Sequence, residues 1–322
     1  MSVTSADGAP GDSTGRARYA VIGAPVEHSL SPILHTSFAA ATGEALEYRL
    51  LPAPVDGFRP TAAAFFRAGG RGLNVTLPFK PEAAAWVDSL DEAAAAAEAV
   101  NTVAADSAGR LHGYNTDGAG LVQDLTVNLG WPIDGARVLL LGAGGSARGV
   151  LRPLLAAGVA ELVVANRTPA RAEDLARLDP RVRGVALEAA RGPFDVVLNS
   201  TSASIAGVGA LVAADCVHGA RCYDLLYAPG DTAFMDWCRR RGARAVSDGF
   251  GMLIEQAAEA FAIWRGLRPK TGALLSDRDA LFAAQEAIRQ SKPSAVPGGT
   301  GAAGRDRLDG GDADEMHNEP SA

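Results

Sequence analysis

The sequence has little of what would tie it to a membrane, a secreted scaffold or nucleic acid. Its three cysteines, Cys216, Cys222 and Cys238, form neither a CxxC pair nor a disulfide framework, which points to a reducing, cytoplasmic setting. No purely apolar run reaches the length of about 18 residues that a membrane span needs. The opening stretch MSVTSADGAPGDSTGRAR lacks the apolar core of a secretory signal and reads as a polar tail. Basic residues form no broad stripe of the kind that tracks a nucleic-acid backbone. Of the net charge of -7, the segment after Lys292 contributes six acidic residues against two arginines. Rich in Gly, Pro and charge, that segment reads as solubilising disorder. His28 and His35 have no Cys or carboxylate at ligand spacing, so no metal is expected.

What is present is two series of short apolar strands alternating with helical segments. The first runs YAVIGAP, SPILHTSFAAAT, LEYRLL, RPTAAAFFRA and LNVTLPFK, a βαβαβ order with crossovers long enough for parallel pairing. In LNVTLPFK, Leu73, Val75 and Leu77 alternate with Asn74 and Thr76, predicting a half-buried strand whose apolar residues pack together. Pro78 ends that strand and leaves Lys80 near its end. VNTVAADSAGRLHGYNTDG then reads as extended around a turn, and GAGLVQDLTVNLG as helical.

The second series opens at ARVLLLGAGGSARGVLRPLLAAG and continues through ELVVANR, ARAEDLARL, FDVVLNST, ARCYDLLY and DTAFMDWCRRRGARAVSDG. This pattern predicts a second, doubly wound α/β domain. FGMLIEQAAEAFAIWRGL is an amphipathic helix placed to return and brace the first domain. The expected organisation is a tail at 1–18, an α/β substrate-binding and catalytic domain at 19–116 and a Rossmann-type domain at 117–249. Returning helices at 250–288 and a second tail at 289–322 complete it.

Val138, Leu139, Leu140 and Leu141 lead straight into Gly142-x-Gly144-x-x-Ala147. Strand, small-residue fingerprint and helix stand in the order a dinucleotide site needs, with the helix N-terminus facing the pyrophosphate. At the end of the next strand, NAD sites usually carry an acid for the ribose hydroxyls; this chain has Asn166, Arg167 and Thr168. Arg167 can pair with a 2′-phosphate and Thr168 can add a hydroxyl bond, which favours NADP. Arg171 either supplements that charge or is an ordinary exposed helix residue.

Ser29 and Ser31 stand two apart before a Pro-started helix, where their hydroxyls and the helix N–H groups can hold a small carboxylate. On its own Ser31 reads as a helix cap, as does Asp117 at the start of a later helix. Asn101 falls in a strand.

Taken in order, HSLSP, NVTLPFK, AVNT, NTDGAG, GAGGSARG, ANRT, YDLLY and GMLIEQAAEAFAIW resemble the shikimate dehydrogenases, across Tyr19 to Leu267. The resemblance implies two α/β domains separated by a cleft. It also implies reversible, NADPH-dependent reduction of 3-dehydroshikimate on the route to chorismate and the aromatic amino acids. It puts Ser29 and Ser31 on the substrate carboxylate, and Thr76, Lys80, Asn101, Asp117 and Gln256 around the ring hydroxyls and carbonyl. Tyr227 closes the site from the cofactor side. Contacts to NADP fall on Gly142, Ala143, Gly144, Gly145, Ser146, Ala147, Asn166, Arg167, Thr168 and Arg171, then on Ser200, Thr201, Leu225 and Gly249.

Lys80 and Asp117 form the implied catalytic pair, the lysine donating to the oxygen that gains charge during hydride transfer and the aspartate orienting it. Two positions depart from the common pattern: Thr36 follows His35 where the family often has Asn, and Asn199–Ser202 reads NSTS where NATS is common. A quinate/shikimate or aminoshikimate dehydrogenase is the neighbouring reading, and a ligand-sensing regulator without turnover a distant one. The composition suits a monomer or a homodimer.

Overall fold

The computed structural model describes residues 15–209 and 211–291; the acidic C-terminal stretch and most of the N-terminal tail lie outside the described residues. β1 (Ala17–Gly23), α1 (Ser31–Thr42), β2 (Leu46–Pro52), α2 (Phe58–Arg67) and β3 (Gly70–Val75) form the expected βαβαβ unit. β1 is central and pairs in parallel with β2 and β3. The chain then passes through α3 (Lys80–Ala84), β4 (Ser89–Leu90) and α4 (Glu92–Ala97). The hairpin of β5 (Thr102–Ala105) and β6 (Leu111–Tyr114) adds to β3 in antiparallel sense, giving the sheet order β2-β1-β3-β5-β6-β4.

α5 (Asp117–Gln123) continues as one π-helical turn, Asp124–Asn128, into the second domain. There β7 (Arg137–Leu141), α6 (Gly145–Ala156), β8 (Glu161–Asn166), α7 (Pro169–Ala176) and β9 (Val182–Ala186) wind to one side. β10 (Val196–Asn199), β11 (Arg221–Asp224), α8 (Ala233–Arg240) and β12 (Ala245–Asp248) wind to the other. The order β12-β11-β10-β7-β8-β9 is parallel throughout and reverses direction beside β7, the switch point where such sheets bind ligands. Val138 to Leu141 are buried on both faces, as a central parallel strand requires.

α9 (Phe250–Arg265), α10 (Gly272–Ser276) and α11 (Arg278–Ser291) return to the first domain. Ile254, Ala257, Ala258 and Phe261 of α9 join Leu34, Phe38, Tyr19 and Val21 in one apolar core. Each large side chain buried there contributes roughly 2 kcal/mol before entropy is counted. Among the described residues no helix is long and apolar enough to cross a membrane.

Several local expectations change. β3 stops at Val75, and a turn closed by the Phe79 N–H on the Thr76 carbonyl swings Leu77 outward to 71 % exposure. Phe79, not Leu77, takes the third packing position. The polar face of the strand is also covered: Asn74 is buried, and a Cβ on Gly72 would sit 2.3 Å from the Trp264 indole nitrogen of α9. Lys80 stands at the first residue of a short helix rather than at a strand end. The edge strand β9 went unread because Arg183 and Gly184 break its apolar pattern. α11 runs on to Ser291, past the expected end of the returning helices.

Candidate active site

The C-terminal ends of the two sheets face a cleft of about 420 Å³, a size suited to a small ligand and part of a cofactor. The first domain lines it with Ser29, Ser31, Asn74, Thr76, Lys80 and Asn101, and α5, which leads out of that domain, with Asp117. Ser146, Leu225, Tyr227 and Gly249 line the opposite side, and Met252, Leu253 and Gln256 of α9 join the lining.

Lys80 Nζ donates to Asp117 Oδ2 at 2.6 Å, with side chains only 20 % and 10 % exposed. The other carboxylate oxygen, Oδ1, accepts from Asn101 Nδ2 at 2.8 Å, and the Asp117 N–H donates to Asn115 Oδ1 at 3.2 Å. Asp117 is thus held from three directions by groups 16, 37 and 2 residues away. Thr116 precedes it as the helix cap without a side-chain cap bond, so the capping role expected of Asp117 does not occur. Asp117 is placed by close helix packing as well. A Cβ on Gly118 would lie 2.2 Å from Pro153 of α6, and one on Gly120 would lie 2.7 Å from the Gln256 nitrogen of α9. The GxG of NTDGAG is what allows α5 between those helices.

A buried chain of hydrogen bonds backs the pair. Tyr48 OH donates to Asn74 Oδ1 at 2.6 Å. Asn74 Nδ2 donates to the Asn101 carbonyl at 3.2 Å and to Thr102 Oγ1 at 3.1 Å. Asn101 Oδ1 accepts from the Thr116 N–H at 2.9 Å. Thr116 Oγ1 donates in turn to the Gln256 carbonyl at 3.0 Å, while Gln256 Nε2 is committed to the Leu253 carbonyl at 2.8 Å. Sequence reasoning missed Tyr48 altogether. Asn74 was visible as a polar residue on a strand, the one signal that could have found it.

Ser29 Oγ accepts from the Ser31 N–H at 3.2 Å and donates to Ser31 Oγ at 3.0 Å. Ser29 therefore serves the first turn of α1, and Ser31, at its first helical position, is not the cap. Tyr227 flanks the cleft with its phenol pushed up to about 12 by burial, so it stays protonated.

On the nucleotide side, Gly142 has φ of +101°, and a Cβ there would lie 2.6 Å from Ser200 Oγ, so the turn demands glycine. Ser200 Oγ donates to the Leu141 carbonyl at 2.7 Å, and Thr201 Oγ1 donates to Asn199 Oδ1 at 2.7 Å, fixing the NSTS loop against the turn. Nothing stands within 4 Å of a Cβ on Gly144 or Gly145, and the first turn of α6 carries no acid. An open cradle at a twelve-residue helix N-terminus fits a pyrophosphate. Ala147 is buried where helix and sheet meet. At the end of β8, Asn166 Nδ2 donates to the Thr168 carbonyl at 2.9 Å, and Thr168 begins α7 with no cap bond from its hydroxyl. Arg167 and Arg171 are exposed there.

His28 lines the cleft, but His35 does not. His35 is fully buried, stacked on Tyr48 at 4.3 Å, and neither ring nitrogen has a hydrogen-bond partner among the described residues. Burial pushes its pKa down to about 3, with the nearby Asn74 amide offsetting only part of that effect. No group of three or more His, Cys, Asp or Glu among the described residues is arranged to hold a metal ion.

A doubly wound sheet with a phosphate cradle, facing a second domain that carries a buried Lys–Asp pair, defines a dinucleotide-dependent oxidoreductase. Comparison with known proteins narrows the class. Residues 21–103 match the model of the shikimate dehydrogenase substrate binding domain, 126–218 that of shikimate / quinate 5-dehydrogenase, and 249–275 that of the shikimate 5′-dehydrogenase C-terminal domain. The NADP(+) shikimate dehydrogenase of Alkalilimnicola ehrlichii is 50 % identical, over 80 % of this chain and 97 % of its own. The crystal structure of an Ael1 enzyme from Pseudomonas putida aligns with TM-score 0.78 and 44 % identity, covering 81 % of this chain and 97 % of its own. Shikimate 5-dehydrogenase from Thermus thermophilus, solved with NADP(H) and shikimate, aligns with TM-score 0.73 and 35 % identity, covering 84 % and 99 %. The chain belongs to the shikimate/quinate dehydrogenase family.

Proposed function

We infer that this chain reduces 3-dehydroshikimate to shikimate with NADPH, reversibly, a step towards chorismate and the aromatic amino acids. The observation that carries the reading is the 2.6 Å Lys80–Asp117 pair, set in one cleft between two serine hydroxyls and the open N-terminus of α6.

Bound NADPH supplies the hydride; the protein supplies position, charge and a proton. Ser29 and Ser31, already 3.0 Å apart, turn their hydroxyls to the substrate carboxylate. Thr76, Asn101 and Gln256 meet the ring hydroxyls, and Tyr227 bounds the ring from the cofactor side. As the carbonyl carbon is reduced, negative charge gathers on its oxygen. Lys80 donates to that oxygen, and Asp117 holds the ammonium in place. The proton leaves the Lys80–Asp117 unit and is restored from solvent. Gly142 to Ala147 hold the pyrophosphate, with Ser200, Thr201, Leu225 and Gly249 around the nicotinamide end.

NADP selectivity falls to Asn166, Arg167 and Thr168, with Arg171 beside them. In Arg167→Ala, kcat/KM for NADPH falls about 10- to 100-fold, the effect of losing a charge-assisted bond. The value for NADH stays unchanged, and steady-state kinetics with both cofactors check it. Equal losses with NADPH and NADH count against a 2′-phosphate contact.

The assay that tests the whole reading follows NADP+ reduction by the purified chain with shikimate and, separately, with quinate. Shikimate is the expected substrate. Strong quinate oxidation with little shikimate oxidation assigns the chain to the quinate branch, and a folded, NADP-binding sample without turnover revives the regulator.

A further inference from the structure

α11 begins at Arg278, beyond the residues that the family models match. Three of its side chains, spaced i, i+4 and i+7 and so on one face, touch both rims of the cleft. Arg278 Nη1 donates to Asp248 Oδ1 at 2.8 Å, and its Nη2 donates to Asp248 Oδ2 and to the Ala228 carbonyl. Its guanidinium lies 4.8 Å over the Phe250 ring and 5.5 Å over the Phe282 ring. The Asp248 side chain is only 4 % exposed and also accepts from the N–H groups of Ala228 at 3.3 Å and Phe250 at 3.2 Å.

One charge pair thereby holds the residue after Tyr227 and the residue before Gly249, both of which line the cleft. One turn along, the Phe282 ring packs against Tyr227 with centroids 6.3 Å apart. A turn further, Gln285 Nε2 donates to the carbonyl of His28, the residue before Ser29. The opposite rim is reached through that bond.

We propose that α11 is a strap that holds the carboxylate-binding loop and the cofactor-side wall in register, with Arg278 as its positioning residue for Tyr227. The kinetic part of this proposal rests on the reaction inferred above. Arg278 does not itself line the cleft. Its effect is on where Tyr227 and Gly249 stand, and misplacing such groups slightly is enough to cost turnover.

The test uses full-length Arg278→Ala and Gln285→Ala, each examined for shikimate oxidation, NADP+ affinity and amide hydrogen exchange. Arg278→Ala lowers kcat/KM for shikimate about 10- to 100-fold with NADP+ affinity unchanged. Exchange accelerates at residues 226–228 and 26–30. Gln285→Ala, an exposed change, raises KM for shikimate about threefold, keeps kcat, and accelerates exchange at 26–30 alone. Unchanged exchange at both segments in the folded variants overturns the strap. So does a loss of kcat no larger than the loss of folded fraction read from an unfolding curve on the same sample. Arg278→Ala leaves a buried carboxylate unpaired; if it does not fold, Gln285→Ala alone decides. Should the wild-type chain oxidise no shikimate, the functional reading falls, while the exchange rates still judge the strap.

Discussion

Lys80→Ala lowers kcat for shikimate oxidation by about a thousandfold, within the range for losing a positioned proton donor, while NADP+ still binds. Among the described residues that line the cleft, Lys80 is the one lysine or arginine, and its ammonium is held at 2.6 Å by a carboxylate that Asn101 and Asn115 fix in turn. On the mechanism proposed above, removing it takes away both the charge facing the developing alkoxide and the route for the proton. The cofactor cradle at α6 lies on the other domain and keeps its geometry. Steady-state kinetics, NADP+ titration and a melting curve on the same sample separate these effects. Near-normal turnover in a folded variant sinks the assignment. Asp117→Asn keeps the shape and removes the charge that holds the ammonium at 2.6 Å, so it also lowers kcat.

The second large effect concerns stability. Below pH 6.5 the unfolded chain takes up a proton at His35 that the folded chain, with its ring pushed down to about 3, refuses. The full contribution is present above pH 6.5 and is lost as pH falls from there towards 3. The loss reaches about 2 kcal/mol by pH 5 and on the order of 4 kcal/mol at the acid end. His35→Phe removes this slope without lowering stability at neutral pH, because neither ring nitrogen has a partner to lose. Buried carboxylates such as Asp124 and Asp224, held above the usual range by burial, act with the opposite sign. The wild-type-minus-variant difference therefore isolates His35. Urea midpoints for both proteins at pH 7 and pH 5 check it, and parallel shifts in the two would remove His35 as the cause.

Much of the cleft's chemistry was readable because it is written in short stretches. GAGGSAR needs only a strand, a turn and a helix in sequence, and all three are local. Asn166 to Thr168 follow the next strand at a spacing set by one crossover. Lys80 and Asp117 were paired through motif resemblance, since nothing local brings residues 37 apart within 2.6 Å. Leu77 shows where alternation fails: its two-residue period holds only while the strand lasts, and a turn at Thr76 ends it. Asn74 shows the second failure, since a polar strand face looks exposed until a helix from the far end of the chain covers it.

Legible along the chain alone were the two α/β series, the glycine turn after the first strand of the second series and the arginine that follows its second strand. Backbone periodicity and glycine sterics act within a few residues and leave their mark in order along the chain. The tertiary structure alone decided that Tyr48 supports Asn74, that His35 is buried without a partner, and that α11 reaches both rims of the cleft. Those contacts join residues that only sheet order and the return of α9 bring together, and burial of that kind depends on what packs from elsewhere.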